Sequence, residues 1–415
     1  RRAFQQTHVA VGSTCVRYHG SAIHADIAKT IAVLQIVGNL PVTPQNVAAL
    51  MHGDVNAPSK LDEVRGCIEE MLNDPLVPLS RKDGNLGFLS EKLRDIERER
   101  GSIVVRQVET RRVVSDALTS TFDPLPKTTL QGTLTVTAGL RDHTAGSETQ
   151  LSGSGNPIQL ATVFVSQTDH EAARSETITA SNEKASRNMI FLVSPQAAEA
   201  ENLAIEICRS RRIADLHRSD PDKDVREYCN AQNERAQVLS EDLRKRIAQA
   251  LTGGSFIFRG EVTPVSALAE DLQEATRKRL STVAEQVFDK YAQAPVRVAT
   301  DAAERLLRVG NPGAITATLD PLGLIQTVGG TPGLKTGHLA IISINDYLSQ
   351  NGQTEGKRIL EHFAGAPYSW SPDTVRYILA AMFFVGELKL KVAGAEVTSN
   401  GQRAIDALKN NITFK

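Results

Sequence analysis

The chain has 415 residues, with 47 basic and 48 acidic side chains, a net charge of -1 and 41% hydrophobic residues. Such a length exceeds one hydrophobic core and implies about two to four domains. The charge balance excludes a uniformly basic nucleic-acid coat and leaves room only for a local basic patch. The four cysteines (Cys15, Cys67, Cys208, Cys229) have no C-x-x-C spacing. They exclude a disulfide scaffold and read as reduced, packed thiols of a cytoplasmic protein. No apolar run nears the roughly 20 residues of a membrane span, and no signal peptide is visible, so no membrane partner is expected. The first residues, Arg1-Arg2-Ala3-Phe4, lack a methionine, which leads us to expect a portion of a longer polypeptide.

In chain order, residues 1–21 read as a leading segment. A winged-helix pattern of three helices and a two-stranded hairpin is predicted over 22–102. Thr43-Pro44 starts a short helix, and Ser59 with Asp62 three residues later resembles a capping box. Leu61, Val64, Ile68 and Leu72 form the apolar face of the next helix. Asp83-Gly84 then turns a hairpin between Val77-Pro78-Leu79 and Gly87-Phe88-Leu89. Residues 103–218 read as a small α/β domain, opening with a helix near 103–121. Its strands are Thr133–Thr137, Gln159–Val165 and Met189–Val193, the last two apolar enough to be buried on both faces. The Gly/Ser-rich stretch 145–156 reads as a loop, and Ser194-Pro195 as the start of a helix.

A helical hairpin arm is predicted over 219–299. Val225, Cys229, Ala236, Leu239, Leu243 and Ile247 nearly keep a seven-residue repeat, interrupted by Gln232. A second helix is expected from Thr263-Pro264. A coiled-coil-like arm and a solvated helical bundle both fit this pattern. Residues 300–337 read as a connector, and 338–415 as a C-terminal winged-helix domain. There Ser371-Pro372 caps a helix with Val375, Ile378, Leu379, Met382 and Phe383 at apolar spacing, ended by Gly386. The wing follows as Leu388-Lys389-Leu390-Lys391, the turn Ala393-Gly394 and Glu396-Val397-Thr398. The fold class expected is therefore α+β, mainly helical, with two winged-helix domains, a small α/β domain and a long helical arm.

No stretch carries a catalytic signature. Gly329-Gly330-Thr331-Pro332-Gly333-Leu334-Lys335-Thr336 imitates a phosphate loop, but Leu334 separates Gly333 from Lys335 and Pro332 removes an amide donor, so a turn after a short strand pair is expected instead. Asp373 with Glu387 and Lys389 has the spacing of a metal-dependent nuclease. Asp373, however, stands at a helix start, where it serves the helix dipole, and the helix length places Glu387 about 20 Å away. Asp220, Asp222 and Asp224 begin like a calcium loop that lacks its glycine and its final glutamate. The nine histidines show no zinc-ligand spacing. No catalytic, cofactor or metal site is expected in this segment.

The winged helices raise the question of DNA. A reading winged helix inserts its third helix into the major groove and lays its wing on phosphates. Among the candidate contacts, Arg81 and Lys82 lie on the first wing, Arg376 on the last major helix, and Lys389 and Lys391 on the second wing. So few phosphate contacts imply weak, salt-sensitive binding without sequence reading. Docking of proteins is the reading preferred from these residues, with a DNA-binding module as the alternative. Arg209, Arg211, Arg212 and Arg218 form the densest basic cluster, at the spacing of a solvated helix face.

The C-terminal run Ala366-Pro367-Tyr368-Ser369-Trp370-Ser371-Pro372-Asp373-Thr374-Val375-Arg376, closing with Asn410-Asn411-Ile412-Thr413-Phe414, resembles the end of the large P-loop ATPase-like proteins of BREX phage-defence systems, the BrxC/PglY family. Asn73–Val77, Arg187–Val193, Ala294–Val298 and Asp301–Leu307 are similar to it as well. The resemblance implies a cytoplasmic bacterial protein about three times as long, an oligomer with other BREX proteins as partners, and a motor that binds ATP and magnesium in an upstream part. The family's nucleotide-binding lysine and magnesium carboxylate have no counterpart in these residues. The role implied for this segment is a non-catalytic scaffold that docks proteins or supports oligomerisation and touches DNA backbone weakly.

Overall fold

The computed structural model describes residues 2–54, 58–74, 77–82, 84–89, 91–144, 148–166, 168–309, 315–328, 331–392, 394–397 and 400–408, excepting the side chains of 2–6, 82, 91 and 328. The chain divides into two compact units. One comprises Arg1–Val114 with Glu201–Leu243, the other Ser115–Ala200 with Arg244–Lys415.

The first unit opens with helices α1 (Arg2–Arg17), α2 (Ala22–Val37), α3 (Pro44–Leu50) and α4 (Leu61–Asn73), followed by strands β1 (Leu79–Lys82) and β2 (Asn85–Phe88). Gly38 closes α2 in the left-handed region, φ 71°, with its amide bonded to Leu34 O. The Thr43 side chain accepts the Asn46 amide, and Pro44 occupies the first turn as predicted. The expected capping box takes another form. The residue at the N-cap is Lys60, and Ser59 Oγ accepts the Leu61 amide at 3.3 Å. Leu79 pairs Phe88 and Lys82 pairs Asn85. That register leaves a two-residue turn, in which Gly84 sits at φ 79° and Asp83 lies outside the described residues. Ile27, Ile31, Val47, Val64, Ile68, Met71, Leu86 and Phe88 close a core between helices and hairpin.

Helices α5 (Glu91–Ser102) and α6 (Gln107–Thr121) follow. The second unit's sheet begins with β3 (Lys127–Leu130), β4 (Leu134–Asp142), β5 (Thr149–Ser152) and β6 (Ile158–Val165). After α7 (His170–Ser181) comes β7 (Met189–Pro195). Helices α8 (Ala200–Leu216) and α9 (Lys223–Thr252) return to the first unit, and the last turns of α9 belong to the second. In the first unit, Glu206 on α8 accepts bonds from Arg100 (2.8 Å), Arg209 (3.1 Å) and Arg235 (3.2 Å), joining α5, α8 and α9. Burial alone would raise the Glu206 carboxyl, yet the Arg100 hydrogen bond and the surrounding guanidinium charge hold it below the usual carboxylate range.

Past α9 the structure departs from the predicted arm. Strands β8 (Ser255–Phe258) and β9 (Glu261–Pro264) continue the sheet that the sequence had confined to 103–218. The turn between them holds Arg259 at φ 49° and Gly260 at φ 81°, the two-residue hairpin geometry that favours glycine. Phe256, Ile257 and Phe258 are fully buried, so the apolar gain of a central sheet position outweighs the pull of the flanking helical repeats. Thr263-Pro264 therefore ends a strand. The helix expected there is the short α10 (Val265–Leu268), and α11 (Leu272–Val287) starts afresh, with Asp271 accepting the Glu274 amide.

The seven-stranded sheet has the order β3-β4-β6-β7-β8-β9, with β5 also on β4. β4, β6 and β7 run parallel, and α7 makes the crossover between the last two. Two expectations are corrected here. Pro195 ends β7, because Ser194 Oγ is anchored on Ala250 O at 2.7 Å, and the next helix begins at Ala200. The stretch 145–156, expected as a loop, contains β5, while residues 145–147 lie outside the described residues. β5 is pinned by the buried Gln159. Its Nε2 donates to Gly153 O (3.1 Å) and Asn156 O (2.7 Å), and its Oε1 accepts from Gln150 (3.1 Å) and Arg141 (3.3 Å). A Cβ on Gly139 would stand 2.4 Å from that amide and from Gly153 O.

The chain ends with α12 (Ala302–Leu307), the hairpin β10 (Ile325–Val328) and β11 (Thr331–Leu334), α13 (Leu339–Asn351), α14 (Gly356–Ala364), α15 (Pro372–Phe384), the wing β12 (Leu390–Val392) and β13 (Ala395–Val397), and α16 (Gln402–Leu408). Gly394 turns the wing at φ 83°; Ala393 and Thr398 lie outside the described residues.

The Gln159 clamp makes a measurable demand. Gly139→Ala overpacks it and is expected to lower stability by about 1–3 kcal/mol. Gln159→Leu, which removes the partner of several half-buried groups at once, should lower it by a similar amount. Chemical denaturation of both variants checks this, with Gly132→Ala as a control for left-handed strain without a clash.

Candidate interaction surfaces

α15 is the third helix of the C-terminal module, the one a DNA-reading winged helix inserts into a groove. Ser371 Oγ accepts the Thr374 amide at 3.0 Å, and Pro372 fills the first turn. Every residue from Tyr377 to Phe384 is buried, so over two turns no face of the helix meets solvent. α12 packs against it through Ala302, Ala303, Leu306 and Leu307. Thr374 Oγ1 donates to Val296 O at 3.0 Å and accepts from Val298 N at 3.4 Å. Thr300 Oγ1 donates to Asp373 at 3.1 Å. The connector thus bonds to the first turn, where Thr374 is buried while Pro372 stays exposed.

A second strap crosses one turn further on. Tyr377 OH lies 2.8 Å from Asp320 Oδ1 and 2.9 Å from Leu319 O. Asp320 is itself buried, and it accepts the amides of Leu324 (2.9 Å) and Ile325 (2.8 Å). Burial, and then the Asp320 charge, push the Tyr377 phenol far above its ordinary range, so it stays a donor. Behind the helix start, Trp370 stacks on Phe363 with ring centres 5.0 Å apart, and Tyr368 closes on both. The His338 ring caps α13 by accepting the Ala340 amide. Burial and the charge of Lys335 lower its pKa, which keeps the accepting nitrogen unprotonated.

The candidate nucleic-acid contacts do not converge. Arg376 is mostly buried and paired with Asp373 at 2.9 Å. Arg81 is paired with Glu69 at 2.6 Å, and the side chain of Lys82 lies outside the described residues. On the second wing the Lys389 side chain is 81% exposed but stands 3.7 Å from Glu396, the residue opposite Lys391 in the strand pair. Three of the four arginines in the basic cluster are engaged within their own unit. Arg209 holds Glu206, Arg211 reaches Ser240 Oγ, and Arg212 pairs with Glu109.

The sequence decoys resolve locally. The residues after Ile325 form the hairpin β10–β11, with Thr327 opposite Pro332, and Gly329 and Gly330 lie outside the described residues. Asp220 and Asp222 accept the amides two residues on, leading into α9, and Asp220 also binds Lys92 at 2.7 Å. Glu387 follows the end of α15, and Asp373 stands at its start. Among the described residues, no group of three or more His, Cys, Asp or Glu side chains is placed to hold a metal.

Sequence reasoning missed the two straps on α15 and an exposed stripe on α2. Val33, Ile36 and Val37 are 47–57% exposed at i, i+3 and i+4 spacing, opposite the buried Ile27, Ile31 and Leu34, and the exposed Leu40 follows just past the helix end. An apolar α2 sequence on both sides was the available signal. Among the described residues, no helix is long and apolar enough to cross a membrane.

Comparison with known proteins gives one match. Residues 330–414 match the family model of the BREX ATP-binding protein BrxC winged helix-turn-helix domain. The matched stretch contains α13 to α16 and the β12–β13 wing, so the C-terminal module is a winged helix similar to that of BrxC. No curated protein and no solved structure matches the chain.

The Tyr377–Asp320 contact is expected to hold the strap in place. Tyr377→Phe removes one donor to a buried carboxylate and should lower stability by about 1–3 kcal/mol. Hydrogen exchange should quicken across Thr316–Ile325 and leave the seven-stranded sheet unchanged.

Proposed function

We propose that this chain is a non-catalytic interaction region of a BREX phage-defence ATPase, acting in the cytoplasm to dock other proteins of the system and to support oligomerisation. In this reading ATP and magnesium are bound by an upstream part of the polypeptide. The observation that carries it is the burial of α15. A helix enclosed from Tyr377 to Phe384 keeps only its first turn partly open, which leaves little surface to read a groove, and we read the winged helix as a packed scaffold. The match of residues 330–414 to the BrxC domain supplies the system. The α2–α4 and β1–β2 module repeats the same order of elements, and we read it as a second winged helix. Its exposed α2 stripe is the kind of surface that partner proteins cover. The test is co-purification of the chain with the other components of such a system, with light scattering for mass. Retention of a partner, or a mass above one chain, is expected, and Val33→Asp with Val37→Asp should weaken it. A monomer that retains nothing overturns the reading.

The exposure of Lys389, with Lys391 beside it on the wing, favours a second reading, a DNA contact through phosphates alone. It predicts duplex retardation at low salt. Lys389→Ala with Lys391→Ala should then reduce the slope of log affinity on log salt by about 2. Absence of retardation at low salt removes this reading.

A further inference from the structure

In the first unit a cleft of about 1190 Å³ lies between the β1–β2 hairpin and helices α5 and α9. Three features that line it lack a partner among the described residues. The first is Gln232, which breaks the apolar repeat of α9 between the buried Cys229 and Ala236. It is 7% exposed, and its Oε1 is shut off from water with no hydrogen-bond partner. Rotation about the last side-chain torsion, which lacks sharp wells, turns either end of the amide to the cleft. The second is Arg94 on α5, whose buried Nε has no partner. Arg81, Arg98 and Arg235 along the same cleft are each paired with a carboxylate. The third is the outer edge of β1. Leu89 N donates to Pro78 O at 2.8 Å, so the next pair, Leu79 with Phe88, turns its main-chain groups outward. On the β2 side these outward groups are taken. Gln35 holds both Phe88 N and Phe88 O, and Val42 O accepts Leu86 N at 2.7 Å. On the β1 side, Leu79 and Arg81 have no main-chain partner among the described residues.

We propose that this cleft receives an extended segment of a partner protein, which adds a strand to β1 and hydrogen-bonds to Gln232 and Arg94. The chemistry of the lining selects that occupant. An unmet strand edge is completed by another main chain. A carboxamide is matched by an amide, which supplies one donor and one acceptor, and Arg94 donates to a carbonyl oxygen of the same segment. The lining residues of α9 run from Asp224 to Val238, about 21 Å, the reach of about six extended residues. Leu79, Phe88, Leu93 and Val238 give apolar side chains of that segment a surface to cover. Four arginines and five carboxylates line the cleft, a balance that gives a polyanion such as nucleic acid no advantage. The volume also exceeds the roughly 300–1,000 Å³ of a small-molecule site. The inference deepens the docking reading above and rests on it.

The test uses the full chain and a random peptide library displayed on phage. Enriched peptides, made synthetically, are expected to slow amide exchange at Leu79 and Arg81 about tenfold when bound. Gln232→Leu and Arg94→Met should each weaken their binding about tenfold, as the loss of hydrogen bonds requires. Arg81→Pro should do the same, because it removes an outward N–H at a strand edge that tolerates proline. Gln232→Leu also restores the apolar repeat of α9, so its Tm should equal or exceed that of the parent. Peptides that bind Gln232→Leu as well as the parent overturn the proposal, and so does unchanged exchange at Leu79 and Arg81 in the bound state. A library that yields no peptide overturns it too. Panning uses none of the system's proteins, so its failure is separate from failure of the docking reading. A system protein retained equally by the parent and by Gln232→Leu with Arg81→Pro overturns this site and leaves the docking reading standing.

Discussion

The C-terminal winged helix depends on one constraint: α15 must be enclosed on every side. Its sequence from Tyr377 to Phe384 carries only apolar groups and one phenol, and a helix of that composition is stable in water only when other elements surround it. α14 covers part of the surface. Residues 296–307 and 319–325 lie against α15 as well, and their polar contacts fall on Asp373, Thr374 and Tyr377 in its first half. Trp370 and Phe363 fill the corner where the chain enters the helix.

The same logic of enclosure governs the sheet. β6 and β7 are buried almost throughout, and their apolar runs are those of strands covered on both faces. A polar residue in such a place requires full satisfaction, and Gln159 receives it by using both ends of its amide on β5 and the loop beyond. In the first unit, the helices share buried apolar clusters and are joined by charge as well. Glu206 gathers three guanidinium groups from three helices, and Arg209, Arg211 and Arg212, at the spacing of a solvated face, stay partly exposed while reaching Glu206, Ser240 and Glu109. A charged face is solvated or paired according to what packs opposite it, which spacing alone does not reveal.

Much of the local structure was legible. Thr43-Pro44 and Ser371-Pro372 cap their helices as predicted, and glycine closes both hairpin turns, because these effects act within a few residues. The β8–β9 hairpin was not recognised, although Arg259-Gly260 between two apolar stretches was the signal, because the helical repeats on either side dominated the reading. The candidate contacts were legible as residue types but not as a site. Arg376 and Arg81 look free along the chain, and each is held by a carboxylate in the structure.

The sequence by itself determined where helices start, where hairpins turn and which stretches are apolar enough to be buried, since capping, left-handed glycine and hydrophobic periodicity are short-range properties. Only the tertiary structure decided that the β8–β9 hairpin joins β7, that the connector closes over α15, and that the cations of α8 are paired. Those outcomes depend on which surfaces meet, and partners 58 to 103 residues apart leave no mark in the local pattern.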